Sequence, residues 1–491
     1  MEKHFQKIRE GIIGINEEIQ CPDGKSRKIV YADWIASGRL YAPIEDRIRT
    51  EIMPLVANTH TETSTTGMAM THAYHTAQEK IKDHVNAGPD DLIITNSSGM
   101  TGLINKFQRI LGLKINHDYQ SNIPEKERPV VFITHMEHHS NHTSWLETIA
   151  TVEIIPPTET GLVDVEALKD LLERYQDRTQ KYASVSACSN VTGIKTPYYQ
   201  IAQMLHKAGG YCFVDYACAA PYTDMDMHPD LEGSHLDAIF FSPHKFLGGP
   251  GSSGVMIFSR ELYHQKVPDN PGGGTVDWTN PWGGYKYIDD IEAREDGGTP
   301  SFLQTIKAAM CITLKEEMGV EKILKREHHL LNILWDLISP LPNLHILAQR
   351  HKDRLAVVSF YIDDLHFNLG VKLLNDKFGI QTRGGCSCAG TYGHYLLNID
   401  PGRSKHITDM IDQGDYSEKP GWMRLSLHPS MTDEEVKYIG QSIVELAKKH
   451  LEWREEYTFD PACLELISKG DNPDEKIRES ITQAITKHFL P

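Results

Sequence analysis

The chain has 491 residues, 40% hydrophobic and 24% charged, a composition that excludes disordered, collagen-like and coiled-coil classes. Fifty Lys and Arg against sixty-seven Asp and Glu give a formal charge of −17, which repels nucleic acid and anionic membranes as a whole but leaves room for a local basic pocket. The eight cysteines follow no compact secreted framework and read mostly as buried, reduced thiols.

Length gives a soft prior of about three domains, each able to bury its own core without a metal or disulfide staple. The first residues, MEKHFQKIREGIIGINEEIQ, are interrupted by charge and contain no apolar signal core. No apolar run approaches the ~18 residues of a membrane span. A cytoplasmic setting is expected.

From about residue 90 to 260, short apolar runs alternate with helical patterns: DLIITN, PVVFITH, VEIIPP, ASVSACS, YCFVDYA, LDAIFFS and SGVMIFS. That order predicts a mainly parallel α/β sheet covered by helices. The segment VDVEALKDLLERY has helical periodicity from Val163, and TPYYQIAQMLHKAGGY stops at Gly209-Gly210; both fit crossover helices. Residues 266–300, rich in Gly, Pro, Trp and Asp, read as a long surface excursion. A long helical pattern from about 303 leads into a smaller α/β region containing LAVVSFYI and TDEEVKYIGQSIVELAKKHLEW. EKIRESITQAITKHF then reads as an amphipathic tail helix.

Three strand ends carry candidate chemistry. Lys245 follows a buried-looking strand in SPHKFLGG, where a partly desolvated amine can form a Schiff base with an aldehyde; an exposed loop lysine is the alternative. Asp215 ends an apolar strand in VDYACAAP, which calls for a cation or donor such as a pyridinium nitrogen, or else a loop to cap. His135, His138, His139 and His142 cluster after a third strand. They invite a metal reading, but no HExxH or carboxylate pattern accompanies them, and a ring there could equally stack on a flat cofactor.

Taken together, the ordered set SSGMTG, MEHHSN, SNVTG, VDYACAAP, SPHKFLGG, GGTP and RGGCSCAG resembles the class V aminotransferase family of pyridoxal-phosphate enzymes. Within it the sequence looks most like the cysteine desulfurases and selenocysteine lyases. The resemblance runs from about Tyr31 to the helix near residue 450. It implies an α/β fold of type I: a large domain (36–302) with a mainly parallel seven-stranded sheet, after an N-terminal segment (1–35). A smaller carboxy-terminal α/β domain (303–450) with the interdomain helix would follow, then a tail helix (451–491).

The resemblance also implies roles. Lys245 would be the Schiff-base lysine, with Ser242 and His244 helping to hold the cofactor phosphate. Gly99, Met100 and Thr101 would form the phosphate turn at a helix N-terminus. Asp215 would pair with the pyridine nitrogen and His138 would stack on the ring. Asn190 would lie near the substrate carboxylate and cofactor O3′, and Arg424 in WMRLSLHP would grip that carboxylate bidentately. Thr299 would reach the phosphate of a neighbouring subunit, implying a homodimer. Two positions depart from the family. Cys218 stands where it often has Gln, and a thiol is a weaker donor. Its early substrate-loop histidine has Ser64 roughly in its place, in NTHTETSTTG.

Arg383 precedes Cys388 by five residues, the spacing of the desulfurase persulfide cysteine, and glycines on both sides would supply mobility. Cys388 is therefore the candidate nucleophile, taking sulfur or selenium from the amino-acid substrate and releasing alanine. Cys386 completes a CxC like that in the desulfurase-like domain of molybdenum cofactor sulfurases. A zinc fragment with His394, a strained redox pair, or a bystander role for Cys388 in an aminotransferase or C–S lyase remain as alternatives. So does a non-catalytic scaffold or sulfur-carrier partner. The expected partners are a small amino acid, a second subunit and a sulfur-acceptor protein, with pyridoxal phosphate as cofactor, no resident metal, no nucleic acid and no membrane.

Overall fold

The seven apolar runs form one sheet. In a computed structural model, which describes residues 2–59, 61–120, 122–460, 465–470 and 473–489, they are β1 (Asp91–Asn96), β2 (Val130–Thr134), β3 (Thr151–Ile155), β4 (Lys181–Ser186), β5 (Tyr211–Asp215), β6 (Ala238–Phe241) and β7 (Gly254–Ser259). Their order is β1-β7-β6-β5-β4-β2-β3. Only β7 runs antiparallel to its neighbours. Most of these strands are buried on both faces, so their sequences are continuous apolar runs rather than alternating ones.

The covering helices include α1 (Thr65–His84), α2 (Gly99–Ile110), α3 (His139–Leu146), α4 (Val165–Arg174) and α5 (Tyr198–Lys207). Asp164 caps α4 by accepting from the N–H groups of Glu166 and Ala167. After α5 the chain turns through Gly209 at φ +71°, a conformation that favours glycine.

The helical pattern after residue 303 divides into α6 (Phe302–Met318) and α7 (Val320–Ile338), because Gly319 at φ +77° ends the first helix. A four-stranded antiparallel sheet follows, built from β8 (Leu344–Ile346), β9 (Val357–Ile362), β10 (Arg383–Gly385) and β11 (Trp422–Ser426) in the order β8-β9-β11-β10. Helices α8 (Phe367–Phe378) and α9 (Asp433–Trp453) accompany it, the latter opened by a Thr432–Glu435 capping box.

Both ends of the chain differ from expectation. Val30–Tyr31 pairs in parallel with Ile380–Gln381, and Asp33 bridges to Ser426, so the end of the N-terminal segment is part of the small domain's edge. The tail contains a hairpin, Tyr457–Asp460 with Glu465–Ser468, before its helix Pro473–Thr486. Tyr, Thr, Phe and Ile in these two runs favour strands; Cys463 lies outside the described residues. The 266–300 excursion carries its own hairpin, Val276–Thr279 with Tyr285–Tyr287, and is anchored by Lys106–Glu295 at 2.7 Å and Arg109–Asp269 at 2.6 Å. Among the described residues no helix is long and apolar enough to cross a membrane.

Candidate active site

Parallel strands place their C-terminal ends along one edge of the sheet, and there the loops open a cavity of about 220 Å³. Lys245 enters it from the turn after β6, and Asp215 from the last position of β5. Burial pushes the Asp215 carboxyl above its ordinary value. Among the described residues that carboxylate takes one hydrogen bond, from Ala217 N at 2.8 Å. His138 caps α3 with Nδ1, accepting from Ser140 N at 3.1 Å. Burial, with the nearby Lys245 charge, lowers its pKa to about 4, which keeps the ring neutral. His244 is lowered to about 4 by the same causes.

The N-terminus of α2 faces the cavity. Its preceding residue, Ser98, makes no side-chain cap to the helix. Ser242 Oγ accepts from Met100 N at 3.1 Å, and the hydroxyls of Thr101 and Ser140 lie 2.7 Å apart. This is a ready anion cradle: a helix N-terminus that Ser98 leaves uncapped, the positive end of its dipole, and three hydroxyls. Close approach of β7 makes it possible, because a Cβ on Gly254 would lie 2.6 Å from the Gly99 backbone. Gly99 itself sits at φ +66° beside Ser242 and shapes the turn without lining the cavity.

The small domain supplies the opposite wall. Arg424, buried in β11, donates through Nη1 to Asn190 O at 3.2 Å and through Nη2 to Asp33 Oδ1 at 2.8 Å. Arg383, in β10, donates through Nε to the other Asp33 oxygen at 3.2 Å. One carboxylate thus holds two guanidinium groups and leaves net positive charge. Arg424 Nε and Asn190 Oδ1 are both buried without a partner among the described residues. An orphaned donor, an orphaned acceptor, a buried carboxylate with one hydrogen bond and an uncapped helix end together fit a phosphorylated pyridine and an amino-acid carboxylate.

The two CxC cysteines part company. Cys386 packs toward the core, whereas Cys388 is exposed and lines the cavity with Ser387. Ser387 and Cys388 both adopt left-handed backbone conformations, at φ +53° and +57°. Such residues persist where their surroundings over-determine them. Here Asn190 Nδ2 donates to Ser387 O at 2.7 Å, Trp422 Nε1 to Ser387 Oγ at 3.2 Å, and His139 N to Cys388 O at 2.7 Å. At the cavity floor Cys188 Sγ donates to Cys218 Sγ at 3.2 Å, which together with burial raises the Cys188 thiol well above its ordinary value.

Most sequence candidates therefore converge. Lys245, Asp215, His138, His244, Ser242, Met100, Thr101, Asn190, Cys218, Arg383, Cys388 and Arg424 all line one cavity. Thr299 does not; it is exposed in the loop before α6. Ser64 is the N-cap of α1, accepting from Gly67 N at 3.2 Å, and does not line the cavity. The four histidines do not share a centre. His135 turns to Gly161 O, His138 to Ser140 N, His139 to Gly390 N and His142 to Thr391. Sequence reasoning missed Asp33, whose only signal is an acid after the strand-like VYA, and the grip of His139 on the Cys388 loop.

The sheet order and the lysine and aspartate at its C-terminal edge define a fold-type-I α/β architecture with a small closing domain. The class-V aminotransferase profile matches residues 30–439, and the chain belongs to that family. A probable cysteine desulfurase of Halalkalibacterium halodurans is 28% identical over 365 residues, covering 74% of this chain and 84% of that protein. One from Staphylococcus aureus is 28% identical over 395 residues, covering 79% and 89%. Among solved structures, an apo cysteine desulfurase of Thermococcus onnurineus superposes with a TM-score of 0.71 at 21% identity, over 90% of this chain and 98% of that one. A cysteine desulfurase of Escherichia coli gives 0.70 at 19% identity, again over 90% and 98%.

Proposed function

We propose that the chain is a pyridoxal-phosphate-dependent cysteine desulfurase that converts L-cysteine to alanine and a persulfide on Cys388. The observation that carries this reading is the placement of Cys388: an exposed thiol, on a loop pinned in a left-handed conformation, lining the same cavity as Lys245 and Arg424. Cofactor-holding roles fall to Asp215 at the pyridine nitrogen, His138 on the ring face, and the α2 N-terminus with Thr101, Ser242 and His244 at the phosphate. When bound, pyridoxal phosphate supplies an electron sink for the substrate α-carbon.

The protein's own groups do the rest. Arg424 holds the substrate carboxylate through its unpaired donors, kept in place by Asp33 and Asn190 O. Lys245 Nζ removes the α-proton as general base. The Cys388 thiolate attacks the substrate sulfur, taking that atom to form the persulfide while the C–S bond breaks toward the substrate carbon. A proton returned to that carbon completes alanine. Arg383, half exposed beside the loop, adds positive charge where the sulfur anion passes.

Thr299 is exposed in the loop before α6 and does not line its own cavity, a position that suits a homodimer in which it reaches the partner's phosphate site. Exposure of Cys388 suits delivery of sulfur to an acceptor protein in the cytoplasm. The test is product analysis by mass spectrometry with L-cysteine, L-selenocysteine and a panel of amino acids, together with borohydride reduction and peptide mapping. Alanine from cysteine and a reduced cofactor adduct on Lys245 are expected. A colourless protein that takes up no added cofactor, or turnover of other amino acids only, would overturn the reading.

A further inference from the structure

A second group of side chains converges at the opposite edge of the large sheet, where β5 and β6 begin. Asp237 immediately precedes β6. Its Oδ2 accepts from Cys212 N at 2.7 Å and lies 2.9 Å from Nε2 of His206, near the end of α5. His235 Nε2 lies 3.6 Å from Asp237 Oδ1. Ligand atoms of all three residues fall within 4.8 Å of one another. Asp215, three residues along β5 from Cys212, is about 10 Å of strand away, and none of these groups lines the cavity described above.

Their chemistry is that of a metal site. Donors around a tetrahedral ion with bonds of about 2.0–2.1 Å stand about 3.3 Å apart, and the separations of the two imidazoles from the one carboxylate, 2.9 Å to Oδ2 and 3.6 Å to Oδ1, bracket that value. His206 Nδ1 donates to Gly233 O at 2.7 Å, which fixes that proton on the outer nitrogen, so a metal takes Nε2 by displacing the proton it holds against Asp237 Oδ2. A ring held by its outer N–H on a backbone carbonyl is the arrangement that orients metal-ligating histidines. The His206 and His235 rings lie parallel, with centroids 3.9 Å apart. His235 is nearly half exposed, which leaves this side of the site open to solvent. His228 stacks beyond His235, but its Nε2 is engaged by Asp91 at 2.6 Å.

We propose that His206, His235 and Asp237 form a binding site for a divalent transition metal of the zinc or nickel class, with the remaining coordination open to water. Two imidazoles and one carboxylate suit these ions better than calcium or magnesium, which favour all-oxygen shells. Binding replaces the proton that His206 Nε2 shares with Asp237, and that proton passes to solvent. The ion then ties the end of α5 and the loop before β6 to the base of the sheet, a structural clamp distinct from the sulfur chemistry.

The test is equilibrium dialysis of the chelator-stripped, tag-free full chain against Zn²⁺, with elemental analysis and thermal melts. One ion is expected at the site in the parent and in the Cys386→Ser/Cys388→Ser double variant, with a higher Tm in Zn²⁺. Affinity should fall ~100-fold or more in His235→Ala, which removes an exposed ring and spares the core, and in Asp237→Asn. Absence of stoichiometric binding would overturn the proposal. So would an ion retained in His235→Ala and lost with the two cysteines.

Discussion

Replacing Arg424 with lysine separates charge from geometry. The guanidinium has five donors, of which two are committed, Nη1 to Asn190 O and Nη2 to Asp33, while Nε is buried without a partner. An ammonium keeps the charge opposite Asp33, so folding is preserved, but it cannot offer two parallel N–H bonds to a carboxylate. A hydrogen bond to a charged group contributes about 1.5–3 kcal/mol, and each 1.4 kcal/mol is tenfold in rate. Losing one such bond lowers kcat/KM for L-cysteine about 10- to 100-fold in Arg424→Lys, and losing both lowers it about 10²- to 10⁴-fold in Arg424→Ala. The assay is steady-state alanine formation, with a thermal melt of each variant to show that it is folded. A folded Arg424→Lys enzyme within threefold of the parent would refute the placement of the substrate carboxylate on Arg424.

The remaining predictions concern stability and the phosphate cradle. His135 and His138 are lowered to about 4 and His428 to about 3, chiefly by burial, against an ordinary value of 6.5. Their folded values lie below the unfolded one, so the stability they confer is present above pH 6.5 and is lost as pH falls toward 4. Between pH 7 and 5.5 each costs about 1 kcal/mol, which urea midpoints read directly; equal midpoints at the two pH values would contradict it. Gly254→Ala places a Cβ 2.6 Å from the Gly99 backbone, where no side chain can rotate away. It should cost about 1–3 kcal/mol and weaken binding of added pyridoxal phosphate, followed by absorbance; parent stability with parent affinity would refute the contact.

The large sheet is legible in the sequence because strands buried on both faces announce themselves as unbroken apolar runs, and the chemistry stands directly after them. Asp215, Lys245 and His138 each follow such a run, so local reading locates them. Asp33 is not legible, because its meaning comes from Arg424, 391 positions away, and from Arg383. The division at Gly319 is masked by apolar periodicity that continues on both sides of it. The distinction between Cys386 and Cys388 depends on backbone conformation and on contacts from Asn190, His139 and Trp422, which motif spacing does not record.

Mapping the transferred sulfur tests the central claim most directly. After the holoenzyme is mixed with L-cysteine and its thiols are trapped, peptide mass spectrometry should find one added sulfur atom on Cys388 in the parent and in Cys386→Ser. None should be found in Cys388→Ser, which should also lose steady-state alanine formation. A persulfide on Cys386 instead, or a Cys388→Ser enzyme that forms alanine and persulfide at the parent rate, would contradict the assignment.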